Sequence, residues 1–159
     1  MVHGSFPRQN DNDRSVEYSY YRGNSEIEAI VQTEDNNGNY PNLEKYGRNL
    51  CSDARNGIIH KAIGRDAEIR RIIHILSRQT KNNPILVGEP GTGKTAIVEG
   101  LAHRIVEGDI PRELRGTQLY SLNIASLIAG ASHVGEFEER LRGVIDDLIS
   151  SNGNVLLFI

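Results

Sequence analysis

The feature that most constrains this chain is a glycine-rich run that begins at Gly88 and ends at Thr95. It fits the pattern G-x-x-x-x-G-K-[ST], with Gly88, Gly93, Lys94 and Thr95 at the fixed positions. Glycines at such places permit backbone torsions that a Cβ would obstruct, so successive N–H groups can turn toward a phosphate. The run therefore predicts a phosphate-binding loop over residues 88–95, and with it a nucleotide-binding protein.

The residues on either side of the loop support this interpretation over that of an ordinary glycine-rich turn. The apolar run Ile85-Leu86-Val87 is typical of a strand, and a helical pattern follows the loop. A helix N-terminus favours negative charge through its free N–H groups and its macrodipole. We expect Lys94 to hold the β- and γ-phosphates of ATP and the Thr95 hydroxyl to bind Mg²⁺. The loop residues predicted to contact the nucleotide are Gly88, Glu89, Pro90, Gly91, Thr92, Gly93, Lys94, Thr95 and Ala96.

Composition narrows the remaining function classes. A chain of 159 residues can bury one sizeable core, and a net charge of −3 gives no electrostatic reason to expect nucleic acid or an anionic membrane. No apolar run is long enough to span a bilayer, and no secretory signal begins the sequence. Cys51 is the single cysteine, which excludes an internal disulfide and favours a cytoplasmic protein. The histidines lack metal-ligand spacing, so Thr95 is the only predicted metal contact.

The amino-terminal part of the chain differs from the rest. Residues 1–42 are polar and their apolar side chains are scattered, which predicts a disordered tail or linker. Within it, residues 25–31 could form one helical turn or a strand. A polar connector, helical or irregular, is expected from Leu43 to Gly57.

The remaining sequence alternates strands and helices. Helical spacing of apolar residues predicts one helix from Asp66, a second from Ala96 to about Val106, and a third over residues 136–149. Strands are predicted before the loop, at residues 119–124 and at residues 155–159. This order predicts an α/β fold of the phosphate-loop NTPase kind, a three-layer αβα arrangement with a parallel sheet of which only the first three strands are present.

Hydrolysis of a nucleotide also needs a carboxylate near the metal and a group that positions water. Such residues usually follow an apolar strand like Val155–Ile159, and none follows Ile159. Asp146 and Asp147 lie near the end of a helix and are expected to face solvent. No catalytic residue is therefore predicted in this chain, and we expect it to be a fragment of a larger ATPase module or a truncated product.

With these motifs in place, residues 43–159 resemble the first ATPase module of the Clp-type AAA+ unfoldases, closest to the ClpB-type disaggregases. Four runs carry the resemblance besides the loop: Leu43 to Arg48, Ile63-Gly64-Arg65-Asp66, Lys81-Asn82-Asn83-Pro84, and Gly135-Glu136-Phe137-Glu138-Glu139-Arg140-Leu141. The run Val155 to Ile159 is similar to the family's Walker B strand, cut before its Asp-Glu pair.

The resemblance implies more than the residues alone do. It implies ATP and Mg²⁺ as cofactors, backbone at Ile63 and Gly64 beside the adenine, a hexameric ring in the full-length protein, and unfolded or aggregated polypeptide as substrate. The family's pore loop corresponds to residues 130–135, where Ser132, His133 and Val134 replace its usual Lys-Tyr-Arg. His60-Lys61-Ala62 likewise replaces the Asp-Pro-Val that often precedes Ile-Gly-Arg.

Three hypotheses remain open at this point. The chain is the ATP-binding part of a protein unfoldase, a module that binds nucleotide or ring partners without turnover, or a member of another phosphate-loop class such as a small-molecule kinase. The run from Gly135 to Leu141 and the Ile63-Gly64-Arg65 element argue against the third.

Overall fold

The structure is a computed structural model, and it describes residues 38–131 and 133–159 together with the backbone of two earlier strands. The chain divides into two units, residues 1–37 and 38–159. In the first unit, β1 (Glu17–Arg22) pairs antiparallel with β2 (Ile27–Gln32), in a register that sets Glu17 opposite Gln32. The sequence left residues 25–31 open between a helical turn and a strand, and the structure has a strand from Ile27. For the rest of residues 1–37, which lie outside the described part, the disordered tail or linker stays a prediction.

The second unit begins earlier than the predicted boundary at Leu43. Tyr40 is buried, and its ring meets the ring of Tyr120 edge-on at 6.4 Å. α1 (Pro41–Tyr46) starts with a proline, whose fixed φ suits the first turn of a helix. The expected connector then continues as β3 (Gly47–Asn49) and α2 (Leu50–Arg55), and the Asn49 side chain caps α2 by accepting from the Ser52 N–H.

Two longer helices follow at the predicted places. α3 (Asp66–Leu76) buries Ile69, Ile72 and Ile73, the apolar stripe expected from the sequence. α4 (Lys94–Val106) buries Ile97, Val98 and Leu101 in the same core. The two helices pack closely, since a Cβ on Gly100 of α4 would lie 2.6 Å from the Ile69 Cδ1 atom. A 3-10 turn at Arg112–Leu114 leads to the next strand.

The carboxyl-terminal elements complete a three-stranded sheet. They are β4 (Gln118–Leu122), α5 (Ile124–Ile128), α6 (Val134–Ser150) and β5 (Val155–Phe158). The strand order is β3-β4-β5, with β4 and β5 parallel and β3 antiparallel to β4. Along β4, Leu119 joins the core that contains α2, α3 and α4, whereas Tyr120 and Leu122 join the core of α1, α5 and α6. Helices therefore cover both faces of the sheet, which confirms the predicted three-layer α/β fold.

The predicted parallel sheet is wrong in two respects. The sheet is mixed, because β3 enters it antiparallel, and residues 85–87 form no strand within the described part of the chain. Only Leu86 of this run packs against the core, while Ile85 and Val87 are 85 % and 91 % exposed. Apolar β-branched residues favour a strand, but a strand also needs a neighbour to complete its backbone hydrogen bonds. None of the described strands pairs with this run.

The expectation for the aspartates of α6 was half wrong. Asp146 is exposed, but Asp147 is only 8 % exposed. Its carboxylate accepts from the backbone N–H groups of Asn42 at 2.7 Å and Leu43 at 2.9 Å, and from the Asn42 side-chain amide at 3.2 Å. α1 has no cap from its own preceding residue, so Asp147 supplies that cap from another helix.

Among the described residues, no helix combines the length and the apolar character that a bilayer crossing demands.

Candidate nucleotide site

The phosphate loop turns sharply into α4 at two glycines. Gly91 has a φ of 81° and Gly93 a φ of 85°, both in the left-handed region that favours glycine. Gly88 is needed for space, because a Cβ there would lie 2.9 Å from the Thr92 Oγ1 atom. The Thr92 hydroxyl donates to the Glu89 carbonyl at 2.8 Å, which closes the turn between them. Gly91 and Gly93 therefore adopt the backbone torsions that the sequence predicted, and Gly88 leaves room for the Thr92 side chain.

The Lys94 side chain folds back from α4, so that its ammonium contacts the start of the phosphate loop. Its Nζ donates to the carbonyls of Gly88 at 2.9 Å and Glu89 at 2.8 Å, although the residue itself belongs to the first turn of α4. The ammonium is thus held against the start of the loop. A phosphate group bound at this turn would meet a cation and several backbone N–H groups together.

The N-terminus of α4 adds to the attraction for an anion. No side chain caps it, and its first turn contains no acidic residue. Its first N–H groups and the positive end of its dipole are therefore available to a phosphate. Thr95, in that first turn, is exposed. Lysine, backbone N–H groups and a hydroxyl form a donor set that fits a polyphosphate with Mg²⁺, a hard cation that prefers oxygen ligands.

The structure brings the predicted base-side segment to the same place. Ile63 is 94 % exposed, and Gly64 has a φ of 72° that turns the chain. Just before them, Ala62 lies against α4, because a Cβ on Gly100 would come within 3.0 Å of the Ala62 Cβ atom. Just after them, Arg65 donates from Nη2 to the Thr92 carbonyl at 2.8 Å. Residues 62–65 and the phosphate loop therefore flank one exposed region at the start of α4.

Arg65 is a residue whose role the sequence did not show. It belongs to a motif assigned to the base side, and no spacing rule connects it with Thr92, which lies in a separate segment. Its Nη1 also donates to Glu68 Oε1 at 3.0 Å, and this bond contributes to a lowered pKa of that carboxyl, after the larger effect of a backbone hydrogen bond within Glu68 itself. The only available signal was an arginine next to a glycine in a motif assigned to the nucleotide site.

The predicted substrate-loop residues belong to a different element. Ser132 lies outside the described residues. The side chain of His133 is 76 % exposed, with Nδ1 3.9 Å from Glu136 Oε2, and Val134 is exposed as the first residue of α6. Arg140 holds the preceding segment by donating from Nη1 to the carbonyls of Leu127 at 3.0 Å and Ala129 at 2.7 Å.

A separate cleft of about 570 Å³ lies at the carboxyl end of β4. Its two cationic side chains are already engaged: Arg48 pairs with Asp53, and the Lys45 ammonium lies 5.0 Å from the centre of the Tyr46 ring. Its lining does not include the phosphate loop. The candidate nucleotide site is therefore the start of α4 and not this cleft.

Known proteins resemble this chain both in sequence and in structure. The family model of the SMAX1 nucleotide binding domain matches residues 59–159. The chaperone protein ClpB of Bacteroides thetaiotaomicron is 57 % identical over 129 residues, which cover 81 % of this chain and 15 % of that protein. The S. cerevisiae Hsp104–ADP complex superposes with a TM-score of 0.69 at 48 % identity and covers 74 % of this chain and 20 % of that one. A closed-state reconstruction of Hsp104 with ATPγS and FITC-casein gives a TM-score of 0.69 at 47 % identity, with the same coverage. The chain thus spans about 15 % of the length of the Bacteroides ClpB.

Proposed function

Since this chain belongs to the ClpB/Hsp104-type family of Clp AAA+ ATPases, we propose that it is the ATP-binding part of a protein unfoldase or disaggregase that couples ATP hydrolysis to protein remodelling. The observation that carries the proposal is the Lys94 ammonium held on the carbonyls of Gly88 and Glu89 at an uncapped helix N-terminus. The solved Hsp104 structures with ADP and ATPγS support the choice of an adenine nucleotide.

Each group of residues at the site would contact a different part of the nucleotide. The N–H groups of the loop and of the first turn of α4 bind phosphate oxygens, and Lys94 neutralises the β- and γ-phosphates. The backbone at Ile63 and Gly64 contacts the base. The Thr95 hydroxyl holds Mg²⁺, which supplies charge neutralisation on the phosphate oxygens.

Replacement of Lys94 tests this assignment. Lys94→Ala removes one ammonium from the phosphate site and should weaken ATP binding by about 2–4 kcal/mol, roughly 30-fold to 1,000-fold. Equilibrium titration with a fluorescent ATP analogue measures the change. Lys81→Ala, at an exposed lysine outside the loop, is the matched control. Equal affinities of Lys94→Ala and wild type would contradict the proposal.

For the full-length protein we propose unfolded or aggregated polypeptide as the substrate, a hexameric ring as the assembly and the cytoplasm as the location. The Hsp104 reconstruction with FITC-casein supports the substrate class. Ser132, His133 and Val134 occupy the region proposed to contact it, and His133 and Val134 are exposed. Fluorescence anisotropy of labelled casein tests this: His133→Ala should weaken binding, whereas His60→Ala, at another exposed histidine, should not.

The second candidate function is a nucleotide-binding or ring-interaction module that does not hydrolyse ATP. Two carboxylates beside the base-side segment are already engaged, since Glu68 pairs with Arg65, and Asp66 pairs with Arg104. Within the described residues no group of three His, Cys, Asp or Glu side chains could hold a metal ion. Phosphate release by the full-length protein separates the two candidates, because only the first requires turnover.

A further inference from the structure

Arg65 connects the base-side segment with the phosphate loop. Its guanidinium donates from Nη2 to the Thr92 carbonyl at 2.8 Å and from Nη1 to Glu68 Oε1 at 3.0 Å. The contact is close, because a Cβ on Gly93 would lie 3.4 Å from the same Nη2 atom. The two bonds use different nitrogens of the planar guanidinium, so the group is held in two directions.

The bond from Arg65 to the Thr92 carbonyl also orients the N–H group of the next residue, Gly93. The Thr92 carbonyl and the Gly93 N–H belong to the same planar trans peptide, so they point to opposite sides of the chain. Holding the carbonyl toward Arg65 therefore directs the Gly93 N–H away from it. Rotation of this peptide changes ψ of Thr92 and φ of Gly93, and Gly93 tolerates either sign of φ. Gly93 therefore does little to fix the orientation of its own N–H, and Arg65 supplies a contact that does.

We propose that Arg65 is a positioning residue for the phosphate loop: it fixes the Thr92–Gly93 peptide so that the Gly93 N–H serves as an anion donor. Because Arg65 directly follows Ile63 and Gly64, it also links the base side of the site to the phosphate side. This inference rests on the proposed nucleotide-binding function and adds a residue that would not itself touch the phosphates.

The competing explanation is an ordinary surface ion pair between Arg65 and Glu68, three residues apart at the start of α3. Such a pair would contribute little and would leave the loop unchanged when removed. Arg65→Met keeps the apolar stem and removes both bonds. Arg65→Lys keeps one donor for the Thr92 carbonyl, and Glu68→Gln removes only the charge of the ion pair. Arg70→Met, at an exposed arginine of the same helix, is the matched control.

The first measurement uses the full 159-residue chain without nucleotide. ¹⁵N relaxation of the backbone amides reports the order of residues 88–95 in wild type, Arg65→Met and Arg70→Met. Order at Gly93 should fall in Arg65→Met alone and recover partly in Arg65→Lys. Unchanged order at Gly93 would overturn the proposal, whether or not the chain binds nucleotide.

The second measurement uses two probes that separate the halves of the site. Arg65→Met should weaken the binding of inorganic tripolyphosphate roughly fivefold to tenfold, the effect of one lost hydrogen bond, and should reduce the shift of the Gly93 amide on binding. The shifts that adenosine causes should be unchanged. A tripolyphosphate affinity within twofold of wild type would also overturn the proposal. If wild type binds neither ATP nor tripolyphosphate, the proposed function fails, and the relaxation measurement alone decides the role of Arg65.

Discussion

The strongest test of the fold is the removal of the Asp147 carboxylate. This side chain caps α1 from α6 by accepting two backbone N–H groups and one side-chain amide. Asp147→Ala leaves the Asn42 and Leu43 N–H groups without that partner, and Leu43 is 0 % exposed, so water cannot readily replace it. Loss of a helix cap costs about 1 kcal/mol, and a buried unsatisfied donor costs about 1–3 kcal/mol. We expect the free energy of unfolding to fall by about 3 kcal/mol.

Urea denaturation followed by circular dichroism measures this loss. Asp147→Asn retains an oxygen acceptor and should cost about 1 kcal/mol. The control is Asp146→Ala at the exposed neighbour, which should stay within about 0.5 kcal/mol of wild type. If Asp147→Ala were no more destabilising than Asp146→Ala, the assignment of a cap from α6 would be wrong.

Three further predictions concern other parts of the chain. Arg140→Met should speed amide exchange in residues 129–133, because it frees the carbonyls of Leu127 and Ala129; unchanged exchange would contradict this. Burial raises the pKa of the Cys51 thiol above its ordinary value of 9.0, so the folded state holds this proton more tightly than the unfolded chain does. The free energy of unfolding should therefore fall as the pH rises above that value. Cys51→Ala should make this fall with pH shallower, when the free energy of unfolding is measured by urea denaturation between about pH 7.5 and about pH 10. The chain by itself should bind ATP without steady phosphate release, and release that Lys94→Ala abolishes would mean that Glu89 or another residue of this chain acts as the catalytic group.

The sequence predicted most of what depends on local pattern. The phosphate loop, the apolar stripe of α3 and the strands β4 and β5 each carry their signal within a few neighbouring residues. The start of α4 and both ends of α6 differ from the predicted ones by one or two residues, as helix ends usually do.

The features that the sequence did not predict depend on distant partners. β3 has only three residues, and it is a strand because its backbone pairs with β4, not because of its composition. Residues 85–87 have strand composition but no partner among the described strands. Asp147 was expected to face solvent because it lies near the end of a helix, yet its position three residues after buried Val144 is on the inward face of α6. The groups it binds lie more than 100 residues away in the chain, at separations of 104 and 105.

The two polar attachments of α6 also have a mechanical consequence. Arg140 and Asp147 lie on one face of the helix about two turns apart, roughly 10 Å along its axis. The first is tied to the end of α5 and the second to the start of α1, which runs directly into β3 at the edge of the sheet. A pull on the segment after α5 would therefore reach β4 by two routes, directly along the chain and through α6, α1 and β3. Because the two routes share the force, α5 resists being peeled away from the sheet. α6 thus connects the exposed segment to the edge of the sheet.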